Sequence, residues 1–167
     1  MYFKKIAMSD SGFFGQGEDK NFEHDIKIKV GGVMVELTQT GKLRIMYGYT
    51  FLGAGGFGLG IIMNPDLIQS LLKMPDQDPV IFGITGAVYL AFGFLSIFGL
   101  ISPIKFSPVL FLQLIYKSLW LAGVIAPMFL KGQFPFYAVL ITIIFLTYII
   151  GDLITLPFNY LFSKSNH

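Results

Sequence analysis

Two charged side chains in apolar surroundings carry most of the chemistry available to this chain. They are Lys117, inside the apolar run 108–130, and Asp152, inside 135–156. A charge at mid-bilayer costs roughly 2.5–3.5 kcal/mol on insertion scales, so it turns inward and needs a partner. Asp152 is the other charge at comparable depth. Lys117 lies nine residues from Pro108, or ~13 Å along a helix. Asp152 lies four residues from Leu156, or ~6 Å from the same membrane face. An extended lysine side chain reaches across an offset of ~7 Å. An ion pair is therefore expected, and it has two readings: a device that fixes helix register, or a site for a ligand, ion or proton. The alternative is a Lys117 that only reaches the headgroups.

Polar neighbours recur at helical spacing around both charges. Gln113, Tyr116, Lys117 and Trp120 fall at i, i+3, i+4 and i+7 and form one stripe. Tyr148, Asp152, Thr155 and Asn159 form a second, and Thr85, Tyr89 and Ser96 a third. Polar faces avoid lipid, so the three should converge inside a bundle. Lys117 and Asp152, with Gln113, Tyr116, Trp120, Tyr148 and Tyr89, are the candidate ligand-binding residues.

Other chemistry is excluded by what the chain lacks. It has no cysteine, hence no disulfide, thiolate metal site or cysteine nucleophile. Its two histidines, His24 and His167, lie outside the apolar blocks, which argues against a buried haem, a copper centre or a catalytic triad. Asp66, Asp76 and Asp78 read as a hydrophilic loop and not a metal site. The run Gly53-Ala54-Gly55-Gly56-Phe57-Gly58 has no preceding strand and is no nucleotide loop. No catalytic set assembles, and an enzyme is the less favoured reading.

The elements that must position these residues follow from composition. Apolar residues make up 54 % of the 167, charged residues 13 %, and mean hydropathy is +0.67, far from a soluble domain. The net charge of +2 gives no support to nucleic-acid binding. Four apolar blocks, at about 43–63, 80–102, 108–130 and 135–156, each approach the ~20 residues that span a bilayer. Backbone groups in lipid must be satisfied internally, so each is a helix. Short links at 103–107 and 131–134 force antiparallel neighbours. The expected fold is an all-α membrane protein: a four-transmembrane-helix antiparallel bundle over 43–157, an N-terminal region 1–42 and a tail 158–167.

Lys4, Lys5, Lys20, Lys27, Lys29, Lys42, Arg44, Lys105 and Lys164 fall on one side, and only Lys73 and Lys131 on the other. Both termini are therefore expected in the cytoplasm, in an inner-membrane protein whose first span acts as an uncleaved signal anchor. Residues 67–74 read as an interfacial helix, with Leu67, Ile68, Leu71 and Leu72 dipping into the headgroups. Before the bundle, 8–20 read as linker, and alternation about Gly31-Gly32 predicts a β-hairpin over 26–37. Its open edges point to self-association or docking on other membrane subunits. Gly48, Gly53, Gly55, Gly56, Gly58 and Gly60 give span one small faces, including Gly56-x-x-x-Gly60. These suit close helix packing with Gly83, Gly86, Gly93 and Gly99 of span two or, as the alternative, a groove for a flat ligand or lipid tail.

Spans 43–157 resemble the DoxX-like four-helix bacterial membrane proteins. The likeness rests on the Gly-rich first span ending near Pro65, Gly83-x-x-Gly86, the short later loops, the segment Gln113 to Trp120 and Gly151-Asp152. It implies quinone-associated redox chemistry, with a quinone or lipid as ligand, although the chain shows no redox-active set. Three functions stay open: binding or transport at a Lys–Asp site, a non-catalytic accessory subunit packing through its glycines, or a quinone-linked redox partner.

Overall fold

Thr38 sets the start of the first long helix. Its hydroxyl accepts a hydrogen bond from the Gly41 amide at 3.2 Å, satisfying one of the free amides that open a helix. The computed structural model describes residues 26–30 and 33–163. The linker 8–20, the turn Gly31-Gly32, both histidines and the last tail residues lie outside the described residues. The helices are α1 (Gln39–Met63), α2 (Pro65–Leu72), α3 (Pro79–Ile101), α4 (Ser107–Leu130), α5 (Phe136–Thr155) and α6 (Phe158–Leu161). α1, α3, α4 and α5 are long and apolar enough to cross a membrane. The chain is an all-α, four-helix membrane protein.

Before α1, strands β1 (Ile26–Val30) and β2 (Val33–Leu37) pair antiparallel, with Ile28 opposite Val35 and Val30 opposite Val33. Asn64 and Asp78 cap α2 and α3 through their side chains, each followed by a proline at the first helical position. There the missing N–H costs nothing.

Several boundaries differ from the sequence reading. α1 begins at Gln39, so Lys42 and Arg44 belong to the helix, and Lys42 is buried. α5 stops at Thr155 because Pro157 cannot continue it. Asn159 therefore leaves the Asp152 stripe and is exposed. Nor is the tail free of the bundle: Phe158 and Phe162 pack edge-on against Phe111 of α4. Residues of α2 divide their roles, Ile68 turning into the protein while Leu67 and Leu71 stay exposed.

Glycines set the closest contact in the fold. A methyl group on Gly93 of α3 would run into the Gly55 backbone of α1, and one on Gly58 would strike backbone atoms of Gly86 and Leu90. Gly56, by contrast, has nothing within 4 Å of where a side chain would start, and Gly60 meets only Ile68. Gly55 and Gly58, not Gly56 and Gly60, form the packing face. A π-helical turn at Phe51–Gly55 interrupts α1 at the edge of this face. A second π turn, Leu121–Ile125, interrupts α4.

Two cores result. At the hairpin-bearing end, Leu43, Met46 and Tyr47 of α1 pack with Leu110 and Leu114 of α4, Tyr148 of α5 and Leu156. The Tyr47 hydroxyl there donates to the Pro103 carbonyl at 2.9 Å, tying in the link that follows α3. At the α2 end, Ile61, Ile68 and Phe82 join α1, α2 and α3 alone. The bundle is closed at one end and divided at the other.

This packing predicts opposite outcomes for two glycines. Gly93→Ala should lower stability by about 1–3 kcal/mol through overpacking. Gly56→Ala should be neutral or gain up to about 1 kcal/mol of helix propensity. Thermal unfolding of both variants in mild detergent checks the assignment.

Candidate functional site

Three helices bring polar side chains together just below the division. Gln113 of α4, Asp152 of α5 and Thr50 of α1 are fully buried. Gln113 Nε2 donates to Asp152 Oδ2 at 3.2 Å and to Thr50 Oγ1 at 3.3 Å. Gln113 thus ties the Asp152 carboxyl of α5 to Thr50 of α1. Even so, Asp152 Oδ1 and Gln113 Oε1 have no partner among the described residues.

The expected direct ion pair between Lys117 and Asp152 is not formed. Lys117 is 1 % exposed, and its Nζ has no hydrogen-bond partner among the described residues. Tyr148, one turn before Asp152 on the same face, receives the ammonium instead. Nζ lies 3.3 Å from the Tyr148 ring centroid, 5.3 Å from Phe145 and 5.4 Å from Tyr116. Ring faces attract a cation by about 2 kcal/mol or more when water is excluded. They give it no hydrogen-bond acceptor, so the lysine keeps its donors.

Local backbone features build this cage. Tyr49 stacks on Tyr148 with centroids 4.4 Å apart, and its hydroxyl meets Thr147 Oγ1 at 2.8 Å. The Tyr148 hydroxyl donates back to the Tyr49 carbonyl at 3.3 Å. Gly53, in the π turn of α1, leaves room for that hydroxyl, and any side chain there would collide with it.

Beyond the cage, a cavity of about 340 Å³ extends between Lys117 and Tyr148 at mid-bundle and Leu72 and Met74 at the α2 end. It occupies the space where α1 and α3 part from α4 and α5. Its volume falls within the range of small-molecule sites, roughly 300–1,000 Å³. Phe57, Phe82, Tyr89 and Phe145 supply aromatic wall, and Ile141 and Ile144 aliphatic wall. Few polar groups face it. Thr85 spends its hydroxyl on the Ile81 carbonyl at 3.1 Å, whereas the Tyr116 hydroxyl, like Lys117 Nζ, is without a partner among the described residues.

The candidates thus separate into three sets. Lys117, Tyr116, Tyr148 and Tyr89 line the cavity. Gln113 and Asp152 lie behind its floor as a bonded pair. Trp120 stands outside the wall, its ring 4.8 Å from that of Phe145. Ser96 and Thr155 bond carbonyls of their own helices, Phe92 at 2.7 Å and Gly151 at 2.8 Å, and take no part. Sequence reasoning missed Thr50, although it is the one hydroxyl residue of the first span apart from tyrosines. It also missed Tyr49, Phe57, Phe82 and Phe145, which nothing distinguishes among 18 phenylalanines and 8 tyrosines.

No protein-family model, curated protein or solved structure matches the chain, so the DoxX-like resemblance gains no support.

A double-mutant cycle tests the bonding pattern. Gln113→Leu should couple to Asp152→Leu by about 0.5–3 kcal/mol, as residues in direct contact do. The coupling of Lys117→Met to Asp152→Leu should be smaller. Chemical or thermal unfolding in detergent measures both.

Proposed function

We propose that this membrane protein binds an apolar molecule carrying one anionic headgroup, held head-first against Lys117 with its tail along the aromatic cavity. The observation that carries this reading is the lysine itself: a buried ammonium with no acceptor among the described residues, at the floor of a mainly apolar cavity. A buried ammonium without an acceptor is costly; Asp152 offsets its charge through space but gives it no hydrogen bond, and an anionic headgroup supplies that acceptor. A fatty acid or an anionic lipid fragment supplies both the charge and the tail. The cavity's extension toward α2 leaves room for the tail on that side.

Against the accessory-subunit reading stands the use of the glycine faces, since Gly55, Gly58, Gly86 and Gly93 are consumed between α1 and α3. The nine-to-two bias of basic residues supports an orientation with both termini in the cytoplasm, which places α2 on the outer face. Introduced single cysteines would report it. Asp76→Cys should label from outside and Lys105→Cys only after permeabilisation.

Trp120 is the chain's single tryptophan and packs directly behind the cavity wall, so it reports occupancy. 10-Bromodecanoate should quench its emission saturably, and 10-bromodecanol should bind more weakly. Losing a charged hydrogen bond of about 1.5–3 kcal/mol means that Lys117→Met should weaken the carboxylate by about tenfold to a hundredfold and leave the alcohol nearly unchanged. Equal binding of acid and alcohol by the unaltered protein would defeat the headgroup assignment. Preferential quenching by a short-chain quinone would move the reading to a neutral carbonyl ligand.

A further inference from the structure

We propose that Asp152 is a proton site coupled to the cavity, taking up one proton when an anionic headgroup binds Lys117. The inference rests on the amphiphile reading above. It starts from unmatched hydrogen-bonding atoms. Asp152 Oδ1 and Gln113 Oε1 are buried acceptors with no donor among the described residues, and Lys117 Nζ is a buried donor with no acceptor. Buried polar atoms are rarely left in this condition. An anion in the cavity satisfies the lysine but does nothing for the two oxygens. A hydrogen on the Asp152 carboxyl turns one acceptor into a donor.

Gln113 can hold that carboxyl in either state. With Nε2 toward Asp152 Oδ2, at 3.2 Å, the amide donates to a carboxylate. Reversed end for end, it places Oε1 at the same point, where it accepts from a carboxylic acid O–H and from the Thr50 hydroxyl, now 3.3 Å from Nε2. An amide offers both functions from one planar group, so the change needs no movement of the helices.

Charge balance links this site to the cavity. In the empty protein the Lys117 ammonium and the Asp152 carboxylate offset one another within the apolar bundle. A bound anion leaves one negative charge uncompensated, and low-dielectric surroundings make such a charge expensive. One proton on Asp152 restores neutrality. Among the described residues, the titratable groups that interact with Asp152 are Lys117 and Tyr116 of α4, Tyr47 of α1 and Tyr148 of its own helix, with Lys117 the cation among them.

The probe is n-decyl sulfate, whose headgroup stays ionised throughout the working pH range and so cannot itself supply the proton signal. The full-length protein in lipid nanodiscs is titrated calorimetrically in two buffers of different ionisation enthalpy. Expected is uptake of close to one proton per decyl sulfate bound, with affinity weakening toward about tenfold per pH unit as the pH rises, the limit for one linked proton. Asp152→Asn should bind with no uptake and a flat pH profile. Binding by the wild type without proton uptake overturns the coupling and leaves the amphiphile reading intact. Uptake that persists in Asp152→Asn also overturns it, by placing the proton elsewhere. No binding by the wild type overturns both. If Asp152→Asn does not fold, infrared difference spectroscopy of the wild type decides: a carboxylic acid C=O band must grow on binding, and its absence overturns the proposal.

Discussion

The backbone contact between α1 and α3 governs the rest of this molecule. Where Gly55 meets Gly93 and Gly58 meets Gly86, two helices approach without side chains between them. In lipid there is no hydrophobic drive to hold helices together, so such packing carries the association. A helix pair drawn this close cannot also fill the space toward the other pair. At the hairpin-bearing end, large side chains such as Tyr47 and Leu110 make up the distance. At the α2 end the buried side chains Ile61, Ile68 and Phe82 stay among α1, α2 and α3, and the cavity is the space that remains.

Electrostatics then gives that space a direction. Asp152 is held from behind by Gln113, and its neighbour Tyr148 offers a ring face to Lys117 at 3.3 Å. The cation rests among aromatic rings and the carboxyl against Gln113, without direct contact between them. Contact would have cancelled both charges; separation keeps the lysine's hydrogens available to the cavity. The π turn at Phe51–Gly55 touches this layer, with Gly53 against the Tyr148 hydroxyl, and such turns occur often at functional sites.

Much of the fold was legible in the sequence because the signals were long. Four apolar stretches, two short loops and an alternating pair of strands each leave a pattern many residues wide. The convergence of Lys117, Gln113 and Asp152 was legible for the same reason, since each lay on a polar stripe with helical period. Partner choice was not. That Asp152 pairs with Gln113 and not Lys117 depends on side-chain rotamers, and the stripes fix only faces. Gly55 and Gly58 belong to the small faces that the sequence offers, but spacing alone does not tell that they, and not Gly56 and Gly60, turn toward α3. The aromatic walls left no mark in a chain so rich in phenylalanine.

Dividing the interior into two cores separates what holds the protein together from what surrounds its cavity. Leu43, Leu110 and Leu114 lie in the closed core, and a change in their volume disturbs all the packing around them. Ile141, Ile144 and Met74 instead border open space, where a larger or smaller apolar side chain alters the shape of the cavity with little to displace. Substitutions there can therefore redraw the outline of the cavity without eroding the fold. On the proposed reading, such changes would alter what fits along the wall while leaving Lys117 and its aromatic neighbours as they are.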